Sequence, residues 1–534
     1  MAMSKLGSAQ CGACPSARAP LLIRPKATVR HVAANAVAGA TRPTSTLVRE
    51  VQASDKPLPP GEAGLPFLGE TLEYQKQGVL KFALDRYRKY QSPVFKTSIF
   101  GQEVYMVCTL PLYQAVIAED TRLVNFTVAG TFGKLQGDYI SGVMSNRDNS
   151  RMPWRRSMLG AVTADALAGY GPQVDAICRA EVAQLASEAE WDLNETTRKF
   201  GMSFANTLLA GLDLEDGREQ AEVRRDIGLF FDGLFTFDVD LPGTPLRKAF
   251  EAKARLEQKL RACVTRQLNE ILAEPKVGGQ PANAPKVRRN MIQYIIDARR
   301  AQGDRVDIEF LTMMALGTLQ AGTDTTAASM SGLLAMVAQL PGVQARIREE
   351  QAQVAAVHGE GVSKASLDAS KYLDAVVREA LRLYPPSTMH WRTSEREMEL
   401  DVNGGLRIPA GSQLVFNTLT AHALELNPDW LQSAQGAGDA LPQGMDFRNL
   451  EANFQPERWM EPDPAKRPSL MTFGGGPHVC LGMALYIMEA KAVLATMLRG
   501  HSLHLLGPQP LTWQEMPMAK PTGAVRMRLA KLAA

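Results

Sequence analysis

The sequence predicts a fold that is mainly α with small β-sheets. Apolar residues recur every three to four positions in several segments, as they do in amphipathic helices. Two other segments alternate around turns that contain glycine, which is typical of β-hairpins. One further segment, 307–340, is long, apolar and free of proline, and it predicts a helix that crosses a whole domain.

Composition limits the class of protein. The chain has 534 residues and a formal net charge of +3, which is too small to indicate nucleic-acid binding. Its 6 cysteines show no paired framework, so a reducing compartment is expected and structural disulfides are not. No G-x-G-x-x-G pattern follows a predicted strand, so we expect no flavin or dinucleotide domain within the chain.

The amino-terminal residues 1–50 differ from the rest of the chain. Residues 1–49 contain no Asp or Glu and are rich in Ala, Ser, Thr and Arg. This composition is typical of an organelle transit peptide, for a chloroplast or, as the alternative, a mitochondrion, although a basic tail without function would share it. There is no run of ~18–20 apolar residues, so we expect no transmembrane anchor and leave peripheral membrane contact open.

Residues 51–534 are predicted to form one domain. A lead-in rich in Pro and Gly, Asp55–Tyr74, precedes the helical part. Residues 427–453 are rich in Gly and Ala and are predicted to be a surface insertion. Helices are predicted within 110–120, 172–190 and 248–274, and hairpins at 93–108 and 398–416.

The long helix is expected to follow an N-cap at Asp307 and to end before Pro341. With a rise of about 1.5 Å per residue it would be about 50 Å long. Near its middle the cluster "AGTDTT", Ala321–Thr326, interrupts the apolar pattern. Polar residues and glycine are poor choices inside a helix, and such an exception within a core often marks a functional site.

A single cysteine stands in a glycine-rich loop, "FGGGPHVCLG", at 473–482. The residues after it have helical periodicity, which places Cys480 at a helix N-terminus, where the dipole and free N–H groups stabilise a thiolate. A thiolate in such a loop is suited to bind haem iron. A zinc site would need three or four ligands, and a lone cysteine can also be a small buried apolar residue.

Four motifs in order resemble those of the cytochrome P-450 superfamily of haem-thiolate monooxygenases. They are similar to its oxygen-activation motif (Ala321–Thr326), its E-x-x-R pair (Glu379 and Arg382), its P-E-R-F motif ("FQPERW", 454–459) and its cysteine loop (Phe473, Gly476, His478, Cys480 and Gly482). The resemblance extends from about Lys56 to the carboxyl end.

The resemblance implies a cytochrome P-450 fold in which haem b lies between the long central helix and the cysteine loop. Cys480 would be the axial ligand of the haem iron, and O2 the co-substrate. In the central helix, Asp324 and Thr325 would supply protons to the oxygen, while Ala321 and Gly322 would leave room for haem and oxygen.

Further residues would hold the haem or brace its loop. His478 and Arg392 are candidates for binding the haem propionates. Arg151 and Arg155 are also candidates, and the sequence does not decide which of the two reaches the haem. Glu379 and Arg382 lie three residues apart and so share a helix face. With Arg458 they would form a buried charge triad that braces the loop, although a surface pair would have the same spacing.

Two segments, "LPPGEAGLPFLGETLEY" and "DLPGTPLRKAFEAKARL", resemble the branch with retinoic-acid hydroxylases and plant steroid and terpenoid hydroxylases. This implies hydroxylation of a small lipophilic isoprenoid: a retinoid, apocarotenoid, sterol or terpenoid. Desaturation or epoxidation at the same site remains open. The other hypotheses are a plastid haem-thiolate isomerase or lyase of hydroperoxides and a non-catalytic haem sensor. The retained Asp324 and Thr325 argue against both.

Two electrons, ultimately from NADPH, would come from a separate protein, which in an organelle would be a ferredoxin-type partner or another reductase. A basic cluster near the cysteine could attract an acidic partner. We expect a monomer. The cluster consists of Lys466 and Arg467, with Arg155 and Arg156 as further candidates.

Overall fold

A computed structural model describes residues 47–99, 101–127, 131, 133–135, 153–212, 214, 216–234, 236, 238–274, 287–430, 441–446, 449–507, 511–515 and 518–532. Most of the predicted transit peptide, including Cys11 and Cys14, and the candidate Arg151 lie outside these residues. The described part is mainly helical with small sheets, so the predicted fold class is confirmed.

The α-helices, in chain order, are α1 Thr71–Tyr90, α2 Leu110–Ala118, α3 Pro153–Leu159, α4 Ala164–Ser187, α5 Leu193–Phe204, α6 Gly217–Leu234, α7 Pro245–Ala273, α8 Met291–Ala301, α9 Ile308–Ala338, α10 Pro341–His358, α11 Lys364–Ala369, α12 Lys371–Leu383, α13 Thr418–Leu426, α14 Leu450–Asn453 and α15 Met483–Gly500. A π-helical turn, Ala205–Ala210, directly extends α5. Helices within a folded protein derive their stability mainly from packing of their apolar faces.

The strands form small sheets. They are β1 Val48–Glu50, β2 Val94–Ile99, β3 Gln102–Val107, β4 Val124–Phe126, β5 Trp191–Asp192, β6 Met389–Ser394, β7 Met398–Leu400, β8 Leu406–Ile408, β9 Gln413–Asn417, β10 His501–Leu506, β11 Trp513–Gln514, β12 Lys520–Pro521 and β13 Arg526–Lys531. One sheet has the order β2-β3-β9-β6-β4, and two others have the orders β1-β7-β8 and β10-β13-β5. Strands β11 and β12 pair as a hairpin.

The central helix α9 is the predicted long helix. The Asp307 side chain accepts from the Glu309 N–H, as expected for an N-cap, and the helix ends three residues before Pro341. Every residue from Thr326 to Val337 is buried, which explains why this half consists of small or apolar residues on all sides. Helices α5 and α7 pack along α9, and the cysteine-loop helix α15 packs against α4.

Both predicted hairpins form. Strands β2 and β3 pair around Gly101, whose φ is 73°. Strands β7 and β8 pair around a turn in which Asn403 and Gly404 have φ of 53° and 80°. Asparagine and glycine tolerate this left-handed region, so the local sequence sets the turn. Strand β9, which follows β8 in the same segment, instead joins the larger sheet beside β3 and β6.

One predicted boundary needs correction. Val48–Glu50, assigned to the amino-terminal segment, form β1 and pair with β7, and Val48 is buried, so the folded domain begins before residue 51. Residues 441–446 lie within the segment predicted to be a surface insertion, and Met445 among them is 1% exposed. Glycine and alanine content predicted a loop there but could not predict where its ends are anchored.

Among the described residues, no single helix is both long and apolar enough to cross a membrane. Helices α9 and α10 satisfy the length and composition requirement only together, and they are bent by 103° where they meet.

Candidate functional site

The cysteine loop, 473–482, contains a short 3₁₀ turn, Gly476–His478, and ends where α15 begins. The Cys480 N–H donates to the Phe473 carbonyl across 2.9 Å and closes the loop. The side chain of Cys480 is exposed, whereas Cys108, Cys178 and Cys263 are buried. Cys480 is therefore the accessible thiol among the described residues.

The surroundings of Cys480 have opposing effects on the pKa of its thiol. The surrounding protein raises the pKa of the thiol, and the N–H groups of Gly482 and Met483 and the Arg155 guanidinium act in the opposite direction. Arg155 is buried, and its Nη2 donates to the Val479 carbonyl across 2.8 Å. A metal cation at the sulfur would add to the forces that favour the thiolate.

The central helix presents a small exposed surface in its middle. Ala321 is exposed although it lies within a core helix, and Thr325 lies four residues further on the same face. Thr325 Oγ1 donates to the Ala321 carbonyl across 2.5 Å, a bond that competes with the helix ladder and tends to bend the helix. Asp324 is adjacent, and burial is the largest cause that raises its pKa, to about 6.

Gly322 lies against the π-helical turn that follows α5. A Cβ at Gly322 would lie 2.3 Å from Leu209 Cδ1 of that turn. At Gly201 of α5 a Cβ would lie 2.6 Å from the Thr323 carbonyl oxygen. The absent side chains of Gly201 and Gly322 therefore permit close packing of α5 and its π-helical turn on α9, and room at Gly322 for haem and oxygen stays a prediction.

Glu379 and Arg382 form a buried pair, as predicted. Arg382 Nε and Nη2 each donate to one carboxylate oxygen across 2.8 Å, and both side chains are at most 1% exposed. Arg458 Nε is 3.5 Å from Glu379 Oε1. The Gln455 N–H and the Trp459 indole N–H also donate to Glu379, each across 3.0 Å. Sequence reasoning missed these two donors.

The buried pair is joined to the cysteine loop by His422, which sequence reasoning also missed. Its Nδ1–H donates to the Arg382 carbonyl, and its Nε2 accepts from the Met471 N–H, both across 3.0 Å. Burial lowers the pKa of His422 to about 3, so the ring is neutral and bridges as donor and acceptor. Arg382 Nη2 also donates to the Gly444 carbonyl across 2.8 Å.

His478 and Arg392 are brought together by a third residue, Asp120. Asp120 Oδ2 lies 2.7 Å from His478 Nδ1 and 3.0 Å from Arg392 Nη2, and all three side chains are at most 5% exposed. His478 Nε2 is buried and has no hydrogen-bond partner among the described residues. No sequence pattern pointed to Asp120.

These observations fit a haem. Cys480 offers an accessible sulfur, Ala321 makes an exposed patch on a core helix, and the buried Nε2 of His478 is left for a group that the described protein residues do not provide. Arg155, once a candidate for the partner surface, is buried, whereas Arg156 is exposed. The loop residue Phe473 packs near Tyr486, with ring centroids 6.3 Å apart.

Comparison with known proteins finds relatives that align over most of this chain. Cytochrome P450 26C1 of Homo sapiens is 27% identical over 499 residues, which cover 89% of this chain and 89% of that protein. Beta-amyrin 28-monooxygenase of Solanum lycopersicum is 24% identical over 492 residues, with 89% and 95% covered. The structure of retinoic-acid-bound cyanobacterial CYP120A1 matches with a TM-score of 0.72 and 23% identity, over 90% of this chain and 100% of that chain.

The sequence model of the family described as Cytochrome P450 matches residues 59–426 and 452–527. The unmatched residues 427–451 fall within the segment predicted to be an insertion. Both matched parts together span well over half of the chain and contain all four motifs. The resemblance is confirmed: the chain belongs to the cytochrome P450 family and is an oxidoreductase that incorporates oxygen from O2.

Proposed function

We propose that this protein is a haem-thiolate monooxygenase that hydroxylates a bulky isoprenoid, with Cys480 as the thiolate ligand. The observation that supports this most is the exposed thiol at the start of α15, with the Gly482 and Met483 N–H groups directed at the sulfur. When bound there, a thiolate-ligated haem supplies activation of O2 and transfer of one oxygen atom to the substrate.

The chain's own residues would hold the cofactor and manage protons. Arg155, by its bond to the Val479 carbonyl, fixes the residue before Cys480. His478 and Arg392 would bind the propionates. Asp324, whose pKa is raised by burial to about 6, is closer to neutral pH than an ordinary carboxyl and can accept a proton from solvent and release it toward Thr325.

The relatives support the substrate class. Beta-amyrin and retinoic acid, named for two relatives, are both isoprenoids with a large apolar skeleton. A retinoid, apocarotenoid, sterol or triterpenoid is therefore the substrate class that we propose. A ferredoxin-type partner would supply the electrons from NADPH, and the composition of residues 1–50 supports a chloroplast location.

The first experiment is a reduced, CO-bound difference spectrum of the full-length protein. We expect a strongly red-shifted Soret band that is lost in Cys480→Ser and kept in the matched control Cys263→Ser. A band of histidine-ligated haem, or folded protein that takes up no haem, would overturn the proposal. A panel of isoprenoids, read by shifts of the Soret band and by consumption of NADPH coupled to product, then tests the substrate class and separates a monooxygenase from a lyase or a sensor.

A further inference from the structure

Asp120 lies just after α2, at the junction of three parts of the chain that are distant in sequence. Its carboxylate contacts Arg392 of β6, with Nε and Nη2 at 3.1 and 3.0 Å, and His478 of the cysteine loop at 2.7 Å. We propose that Asp120 is a positioning residue that holds both cationic side chains in the orientation that binds the haem propionates. This inference rests on the proposed function.

The ring of His478 is fixed on several sides. Asp120 engages Nδ1, and the ring of Phe126 stacks on the imidazole with centroids 5.3 Å apart and planes at 21°. The Arg392 guanidinium lies over the same Phe126 ring at 5.3 Å. Nε2 is left buried without a partner among the described residues. Buried polar atoms are rarely unpaired, so this atom is suited to a partner other than the described residues, such as a haem propionate.

The backbone next to Asp120 is held in a costly conformation. Thr121 has φ of 72°, which is a genuine outlier for a β-branched residue, and its N–H donates to the Val124 carbonyl across 2.7 Å. Such a conformation persists where the surroundings require it, often at ligand-binding sites. Across from it, Gly476 adopts φ of 64° without strain, and a Cβ there would lie 2.9 Å from the Ile117 carbonyl oxygen, so the cysteine loop lies close against the end of α2.

Neutralisation of buried charge is the competing explanation for Asp120. Neutralisation accounts for the contact with Arg392, which also donates to the Trp391 carbonyl across 2.9 Å. It does not account for the ring position that leaves Nε2 unpaired, or for the strained turn at Thr121. The two explanations differ in what they predict for the cofactor: a positioning residue affects haem retention, whereas a neutralising residue affects only folding stability.

The test measures how fast haem leaves the purified holoprotein for an excess of apomyoglobin, followed at the Soret band. We expect Asp120→Asn to speed haem loss about 10–100-fold, the usual effect of removing a residue that orients a ligand-binding side chain. The matched control is Asp226→Asn, because Asp226 is equally buried and paired with Arg255 at 2.8 and 2.9 Å but lies on α6. It should leave the rate within about twofold.

A second variant keeps the inference testable if Asp120→Asn folds poorly. His478→Asn can retain a donor toward Asp120 while it removes Nε2, so we expect wild-type thermal stability with faster haem loss. Unchanged haem loss in this variant, or in a folded Asp120→Asn protein whose Tm alone falls, would refute the positioning role. A wild-type protein without the red-shifted CO band would instead refute the proposed function, so the two failures are distinguishable.

Discussion

The indole N–H of Trp459 donates to Glu379 Oε2 across 3.0 Å, whereas Arg458 Nε is 3.5 Å from Oε1 and makes no hydrogen bond among the described residues. Trp459 thus contacts the buried carboxylate more closely than the arginine that the motif predicted. Hydrogen bonds to a charged group contribute about 1.5–3 kcal/mol.

Trp459→Phe should therefore lower the free energy of unfolding of the holoprotein by about 1.5–3 kcal/mol, because it removes a buried donor and keeps most of the ring volume. Arg458→Gln should cost under about 1 kcal/mol, since its side chain is partly exposed and the pair is long. Urea titrations of both variants measure the difference. A larger loss in Arg458→Gln would restore the arginine as the third member of the triad.

Gly322→Ala should destabilise the protein by about 1–3 kcal/mol through overpacking against Leu209. The double mutant with Leu209→Ala should lose less stability than the sum of the two single losses, because the second change removes the atom that the new Cβ meets. Gly201→Ala should cost more than Gly322→Ala, since its Cβ meets a backbone oxygen that cannot move aside. Thermal unfolding of the four variants, including the double mutant, checks this order. Additive effects of Gly322→Ala and Leu209→Ala would contradict the packing role.

Asp324→Asn should change stability in a pH-dependent way. The folded-state pKa of about 6 is above the ordinary value of 3.8, so the folded protein favours the protonated carboxyl. Its stabilising contribution is present below pH 3.8 and is lost as pH rises through 6. At pH 8 the variant should then be more stable than the wild type by up to about 3 kcal/mol, and at pH 3.5 equally stable.

The same variant should lose turnover by about 10²–10⁴-fold if Asp324 supplies protons. Electron consumption without product would accompany this loss. Normal turnover together with the stability change would show that the raised pKa has no catalytic use.

Reversal of charge at the exposed residues Lys466 and Arg467, to Glu, should slow reduction by an acidic ferredoxin, because the steering field is lost. The effect should shrink as salt rises from about 0.01 to 0.15 M. Arg218→Glu with Arg225→Glu, two exposed positions on α6, is the matched control. Reduction rates are measured by stopped flow. Equal rates in the Lys466 and Arg467 variant and in the control variant would show that the partner binds at another surface.

Local patterns predicted much of the fold and site. The N-cap at Asp307, the turn at Asn403 and Gly404, and the Glu379–Arg382 spacing are each decided by residues close in sequence, so they could be predicted. Asp120 and His478 are 358 positions apart, and their contact follows only from the tertiary fold. Trp459 and His422 were missed for the same reason.

The pairing of β1 with β7 sets a limit on how much of the amino terminus can be trimmed. Arg49 forms an ion pair with Glu399 of β7, and Val48 lies opposite Leu400, so these residues hold β1 against β7. A peptidase that cut beyond residue 47 would remove residues of β1 and leave β7 with an unpaired edge, which is prone to self-association. Any amino-terminal cleavage that preserves the domain would therefore have to end upstream of Val48.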